Sequence, residues 1–318
     1  MAHKTSAMVE AGILAAIAIV FALISTYVPI LGMLVNFVWC LPIILCGMRN
    51  GLRWSIMTLA VSGAVIAILI SPLNALLLVA VFGPLGLVLG ECMRRKLPPV
   101  KLIAVSSVAA FASLMISVGI TFVVLGSDPI SMFFGMFDEA LADIIGIYKQ
   151  QGLSEEQIQA ATASAQDSFK LIRLVLPASF VISAPILAFL NYWVARLILN
   201  KLGEHFESFP PFTSLSLPRW LIIPYILSLV LVFTFDGQPA GVPYLLGVNL
   251  QMLCSFILVM QGLAVIFWYI KDKNLPRWWG KIAVALIFIS QFVSQYVVFI
   301  GAFDSFMDFR KIRTNSRK

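Results

Sequence analysis

The chain has 318 residues, 60% of them hydrophobic and only 12% charged, with a formal net charge of +7. A soluble domain carries about 25% charged and about 45–50% apolar residues, and no water-soluble core hides such an excess. The mean hydropathy of +0.97 fits a surface facing lipid, where backbone polar groups must pair internally and only helices or closed barrels cross. The apolar runs are long and unbroken, not short alternating segments, so helices are expected and a barrel is not.

In chain order, the runs predict nine transmembrane helices, at 8–27, 30–48, 54–71, 73–90, 102–125, 172–199, 219–235, 244–270 and 281–303. The expected fold is an all-α integral membrane protein, since each run approaches the roughly 20 residues that a span needs. The first run ends without a small-x-small cleavage site and is expected to be a retained helix, not a signal peptide. Arg49 and Arg53, Arg94 to Lys96, Lys101, Arg196, Lys201, Arg219, Lys271, Lys273, Arg277, Lys281 and Lys4 hold most of the 22 basic residues and fall on one side of this scheme. That side is expected to be cytoplasmic, with the N-terminus. The net charge thus reports topology, and nucleic-acid binding is not expected. One feature conflicts: nine spans leave Arg310, Lys311, Arg313, Arg317 and Lys318 outside. Either run nine is re-entrant, or the tail breaks the charge rule. The repeated Leu-Pro-Arg-Trp at 217–220 and 275–278 marks two similar helix entries and favours nine spans.

Residues 126–171 are the one long polar segment. They carry seven acidic side chains against Lys149 and Lys170. Phe133, Phe134, Met136, Phe137, Leu141, Ile144, Ile145 and Ile147 recur at helical spacing, and Ser154 with Gln157 resembles a capping box opening a second helix through Gln166. Two outer amphipathic helices are expected, either a lid over a pocket or a solvated connector.

Chemistry-bearing residues are sparse. Cys40, Cys46, Cys92 and Cys254 lack metal-ligand spacing, and no nucleophile, base or phosphate-cradling set appears, so no enzyme, metal or cofactor is expected. Uncharged polar residues are more informative. Tyr27, Asn36, Trp39 and Asn74 cluster at the outer ends of the early spans. They either line an outward pocket for a small molecule or make interhelical hydrogen bonds. Asn249 and Gln251 pose the same choice in span eight. In the first helix, Ala11 and Ala15 are four apart, as are Gly12 and Ala16. Such a stripe admits a close helix neighbour, internal or from another subunit.

The segments EAGILAAIAI (10–19) and YVPILG (27–32) resemble the first helix and turn of substrate-binding S components of energy-coupling-factor transporters. The resemblance implies that residues 1–200 form a six-helix S-component-like bundle. It also implies that Ala11 and Ala15 dock on a coupling-factor membrane subunit, and that residues 201–318 add about three helices. With both LPRW copies, LVMQGLAVIFWYIK (258–271) and FMDFRK (306–311), the whole chain is similar to the YybS-like family of bacterial membrane proteins of unknown function. This implies a bacterial cytoplasmic (inner) membrane location. The rival expectation is a non-transporting scaffold, since the superfamily also resembles rod-shape-determining membrane proteins that organise envelope partners.

Overall fold

The computed structural model describes residues 2–126, 128–236, 241–276, 278–310 and 312; Arg277, Lys311, Arg313, Arg317 and Lys318 lie outside them. Every regular element among the described residues is helical, as lipid requires of a chain this apolar. In order these are α1 (Ala2–Tyr27), α2 (Pro29–Phe37), α3 (Leu41–Asn50), α4 (Leu52–Leu69), α5 (Pro72–Arg94), α6 (Pro99–Leu125), α7 (Pro129–Gln150), α8 (Glu155–Lys201), α9 (Ile222–Phe235), α10 (Val242–Asp272), α11 (Trp278–Ile289) and α12 (Gln291–Met307). Seven helical stretches, α2 with α3 counting as one, are long and apolar enough to cross a membrane.

The expected run at 281–303 is not one continuous helix. It breaks at Ser290 into α11 and α12, bent by 117°. No proline marks the break. The Ser290 hydroxyl caps α12 by accepting from the Val293 N–H, which lets a new helix start in a new direction. The bent pair also begins and ends at one end of its unit. Gly280, near the start of α11, abuts the Phe267 ring close to the end of α10. Past α12, Arg310 donates to the carbonyls of Thr213 and Leu215, in the segment whose Phe212 ring stacks edge-on against Phe267. Among the described residues, seven helical stretches are long and apolar enough to cross, or eight if the bent pair is one broken span, and α9 is a shorter apolar helix.

The segment before α9 explains that shortness. Leu217 donates its N–H to Gln261, about 16 Å short of the end of α10 at the α-helical rise. The chain runs alongside α10 before helix begins, leaving α9 less distance to cover.

The described chain divides into two compact units, 1–165 with 183–208, and 166–182 with 209–318. The expected division at 200 thus shifts to 208, and a stretch of α8 sorts with the second unit. The second amphipathic helix expected to end at Gln166 does not end there. The Ser154–Gln157 capping box forms, with both hydrogen bonds present, but it opens one 47-residue helix. At about 1.5 Å per residue, α8 is about 70 Å long, more than twice the hydrocarbon thickness. Its polar N-terminal turns must therefore project beyond it.

In the first unit, one end is charged: Glu10 pairs with Arg49 and accepts from Asn50, and Glu91 pairs with Arg94 and Arg95. The interior is held by uncharged polar groups that bond mainly to main-chain carbonyls. Ser55 donates to Ile43 O and Thr58 to Ala11 O. Asn191 donates to the carbonyls of Phe37 and Leu187 and accepts from the Cys40 thiol.

The second unit is organised differently. Asp304 and Arg310 are almost fully buried and paired at 2.8 Å. Gln261 donates to the same carboxylate while accepting from Leu217. The α10–α12 crossing that brings them together depends on glycine. A Cβ at Gly262 would run into the Val297 carbonyl oxygen, and one at Gly301 into that of Leu258. Asn249 also makes an interhelical bond, not a pocket contact. Its amide accepts from Ala178 N and donates to Leu174 O, serving the α8 backbone beside Pro177, where the ring removes a donor.

Candidate functional site

The site is built at the end of the first unit opposite its charged cluster. α1 closes with Ser25, Thr26 and Tyr27, and Pro29 starts α2 at once. The return is tight: a Cβ on Gly32 would stand 2.6 Å from the Ser25 carbonyl oxygen, so glycine lets α2 fold against the last turn of α1. This places Asn36 beside Ser25 and Thr26. The third wall is the start of α5, where Ser71 caps the helix by accepting from the Asn74 N–H. Asn74, Leu77, Leu78, Val81 and Phe82 follow at i, i+3, i+4, i+7 and i+8, one helical face. Together with Ser25, Thr26 and Asn36 they line a cleft of about 360 Å³, within the size range of small-molecule sites.

The cleft is polar on one side and apolar on the other, and no charged side chain lines it among the described residues. Thr26 donates its hydroxyl proton to the Ala22 carbonyl. The Ser25 hydroxyl and the amides of Asn36 and Asn74 have no side-chain hydrogen bond among the described residues. Two amides and a hydroxyl offer donors and acceptors together, beside a wall of Leu, Val and Phe. This arrangement suits an uncharged molecule with carbonyl, hydroxyl or amide groups on an apolar body.

Of the residues singled out in the sequence, Asn36 and Asn74 meet here. Trp39 does not line the cleft. It is fully buried, its indole N–H donates to Ala18 O at 2.9 Å, and its ring sits 6.2 Å from that of Phe82. It backs the wall. Tyr27 is 66% exposed and does not line the cleft either. Ser25, Thr26 and the α5 face were not singled out, although the helical spacing from Asn74 to Phe82 was there to be read. No described residue of 126–171 lines the cleft, so the expected lid does not close it in this structure.

The docking expectation for Ala11 and Ala15 also needs correction. Both are buried. Ala11 packs with Leu14, Cys46, Leu45 and Trp54, and its carbonyl takes the Thr58 hydroxyl. The chain's own α3 and α4 occupy this stripe. Gly12 and Ala16, one position round the helix, are exposed.

A family described as "Predicted membrane protein (DUF2232)" matches residues 16–305. The chain belongs to this family. It is also 25% identical over 301 residues to the uncharacterized protein YybS of Bacillus subtilis (strain 168), covering 95% of this chain and 96% of that one. No solved structure matches the chain. The family match takes in all the described cleft residues, the buried Asp304 and the α10–α12 crossing, so most of each unit lies within it.

Proposed function

We propose that the protein is a non-enzymatic, S-component-like binding protein of the bacterial inner membrane, which takes an uncharged small molecule into the first-unit cleft for uptake with a coupling partner. The observation that carries this reading is the convergence of the Asn36 and Asn74 amides and the Ser25 hydroxyl, without side-chain partners among the described residues, on one side of a cleft of about 360 Å³ with an apolar far wall. Asn36 and Asn74 are exposed, so a ligand would exchange their water for direct hydrogen bonds beside the apolar wall. Because Ala11 and Ala15 are covered internally, a coupling subunit would have to engage another surface.

The orientation belongs to the same proposal: the charged end of the first unit faces the cytoplasm and the cleft faces outward. Basic residues mark cytoplasmic loops.

Untargeted mass spectrometry of the gently purified protein tests the binding claim. A single uncharged compound recovered at near-stoichiometric amount is expected; repeated recovery of none sinks the reading. Affinity capture of the tagged protein tests the uptake claim, with a coupling-factor membrane subunit expected in the eluate.

One observation favours a second reading, a membrane scaffold that organises envelope partners. α7 exposes Phe133, Met136, Ile144 and Ile147 along one face, outside every candidate span. Photo-crosslinking from position 136 in cells separates the two: a protein adduct supports the scaffold, and lipid adducts alone argue against it.

A further inference from the structure

The second unit holds a larger cleft, of about 600 Å³, that the proposed function does not use. It lies where α10 ends. Phe267, Ile270 and Leu275 form its apolar floor, Phe212 and Thr213 form the facing wall, and Lys271 stands at the rim. The facing wall is fixed by the buried ion pair, because Arg310 grips the Thr213 carbonyl while its guanidinium is neutralised by Asp304. The cleft is thus held open by a rigid support.

Its position and charge identify what fits. Trp278 and Trp279, stacked with centroids 4.6 Å apart and half exposed, follow at the start of α11. Paired tryptophans of this kind sit at the boundary between hydrocarbon and headgroups. Among the described residues, Lys271 is the one charged residue of the lining. It has no ion-pair partner among the described residues, whereas Asp272 beside it is taken by Lys273. The helix-end carbonyls that would repel an anion are capped: Tyr269, Ile270 and Lys271 accept from the N–H groups of Lys273, Leu275 and Asn274. Asn274 adopts the left-handed backbone (φ 49°) that this cap requires. An apolar trough at the interface, a free cation at its mouth and a neutralised helix end together match an amphiphile with an anionic head.

We propose that this cleft binds an anionic phospholipid, one acyl chain lying along Phe267, Ile270 and Leu275 and the phosphate meeting the Lys271 ammonium. Basic pockets between membrane helices take acidic headgroups in this way.

The test uses the full-length protein, delipidated in detergent and re-equilibrated in mixed micelles with equal amounts of phosphatidylglycerol and phosphatidylcholine, with bound lipid read by native mass spectrometry. The wild type is expected to retain phosphatidylglycerol preferentially. Lys271→Gln is expected to cut that preference about five-fold, the effect of one basic residue at an anionic surface. Lys281→Gln, which removes an exposed charge outside the cleft lining, is expected to leave the preference unchanged. Leu275→Trp, filling the trough, is expected to lower retention of both lipids. Equal retention of the two lipids by the wild type overturns the proposal. So does an equal loss with Lys281→Gln, which would mark a diffuse surface effect. In a further arm, displacement of phosphatidylglycerol by equimolar oleate contradicts a phospholipid site and makes it one for carboxylate amphiphiles.

Discussion

The two units solve the problem of polar groups in an apolar chain in opposite ways. In the first, polar side chains are neutral and dispersed. Trp39, Ser55, Thr58 and Asn191 each serve a nearby carbonyl, and the groups left over face the cleft. In the second, polarity is gathered into one charged knot of Gln261, Asp304 and Arg310, which ties α10, α12 and the 213–217 segment together. Dispersed neutral bonds are worth about 1 kcal/mol each and fail singly. A buried ion pair contributes little net stability against an apolar replacement, but breaking it strands a charge at about 3–5 kcal/mol. The first arrangement leaves room for a site; the second makes a fixed support.

The largest test of this contrast is Arg310→Ala, which leaves Asp304 buried and unpaired and is expected to cost about 3–5 kcal/mol. It would appear as a large fall in Tm in detergent. The double variant Asp304→Leu/Arg310→Met should recover most of that loss, and failure to do so would show that the knot contributes more than charge compensation. Next is Gly262→Leu. Its side chain has no room against the Val297 backbone, and overpacking here is expected to cost about 3 kcal/mol, with α10 and α12 separating at their crossing before the rest of the unit unfolds. Trp39→Phe removes a single neutral donor from Ala18 O, so a loss of about 1 kcal/mol is expected. A loss as large as that of Arg310→Ala would erase the distinction between the units.

The smallest effect concerns α7. Asp128 caps it, and hydrogen bonds from the Ser131 hydroxyl and then the Ile130 N–H hold its carboxyl below the usual range. A depressed folded-state pKa means that the cap contributes above the ordinary aspartate range and is lost as pH falls through the lowered value. Hydrogen exchange at Ile130 and Ser131 should be faster in Asp128→Ala than in wild type at neutral pH, and the difference should vanish in strong acid.

What the sequence revealed followed the strength of the local physics. Membrane-helical character follows from composition, and the Ser154–Gln157 box from a four-residue pattern. Asn36 and Asn74 were readable as outer polar residues because proline turns punctuate the chain beside them. Trp39 was misplaced because it lies in the non-helical turn between α2 and α3, where face arguments do not apply. The Ala11–Ala15 spacing marks a face able to accept a close neighbour, but not which helix takes it. The bend at Ser290 carries no proline or glycine, so an apolar run looked continuous. Arg310 reads in the sequence as a tail charge and Asp304 carries no local signal, since only the fold brings residue 310 back to 213.

The central claim is that the first-unit cleft holds a ligand through Asn36 and Asn74. Parallel mass-spectrometric extraction of wild type and of Asn36→Leu/Asn74→Leu, each confirmed folded by an unchanged Tm, tests it most directly. The account predicts an uncharged compound retained by the wild type and reduced at least ten-fold in the variant, about 1.4 kcal/mol of binding. Equal retention by both proteins, or none by either, would contradict it.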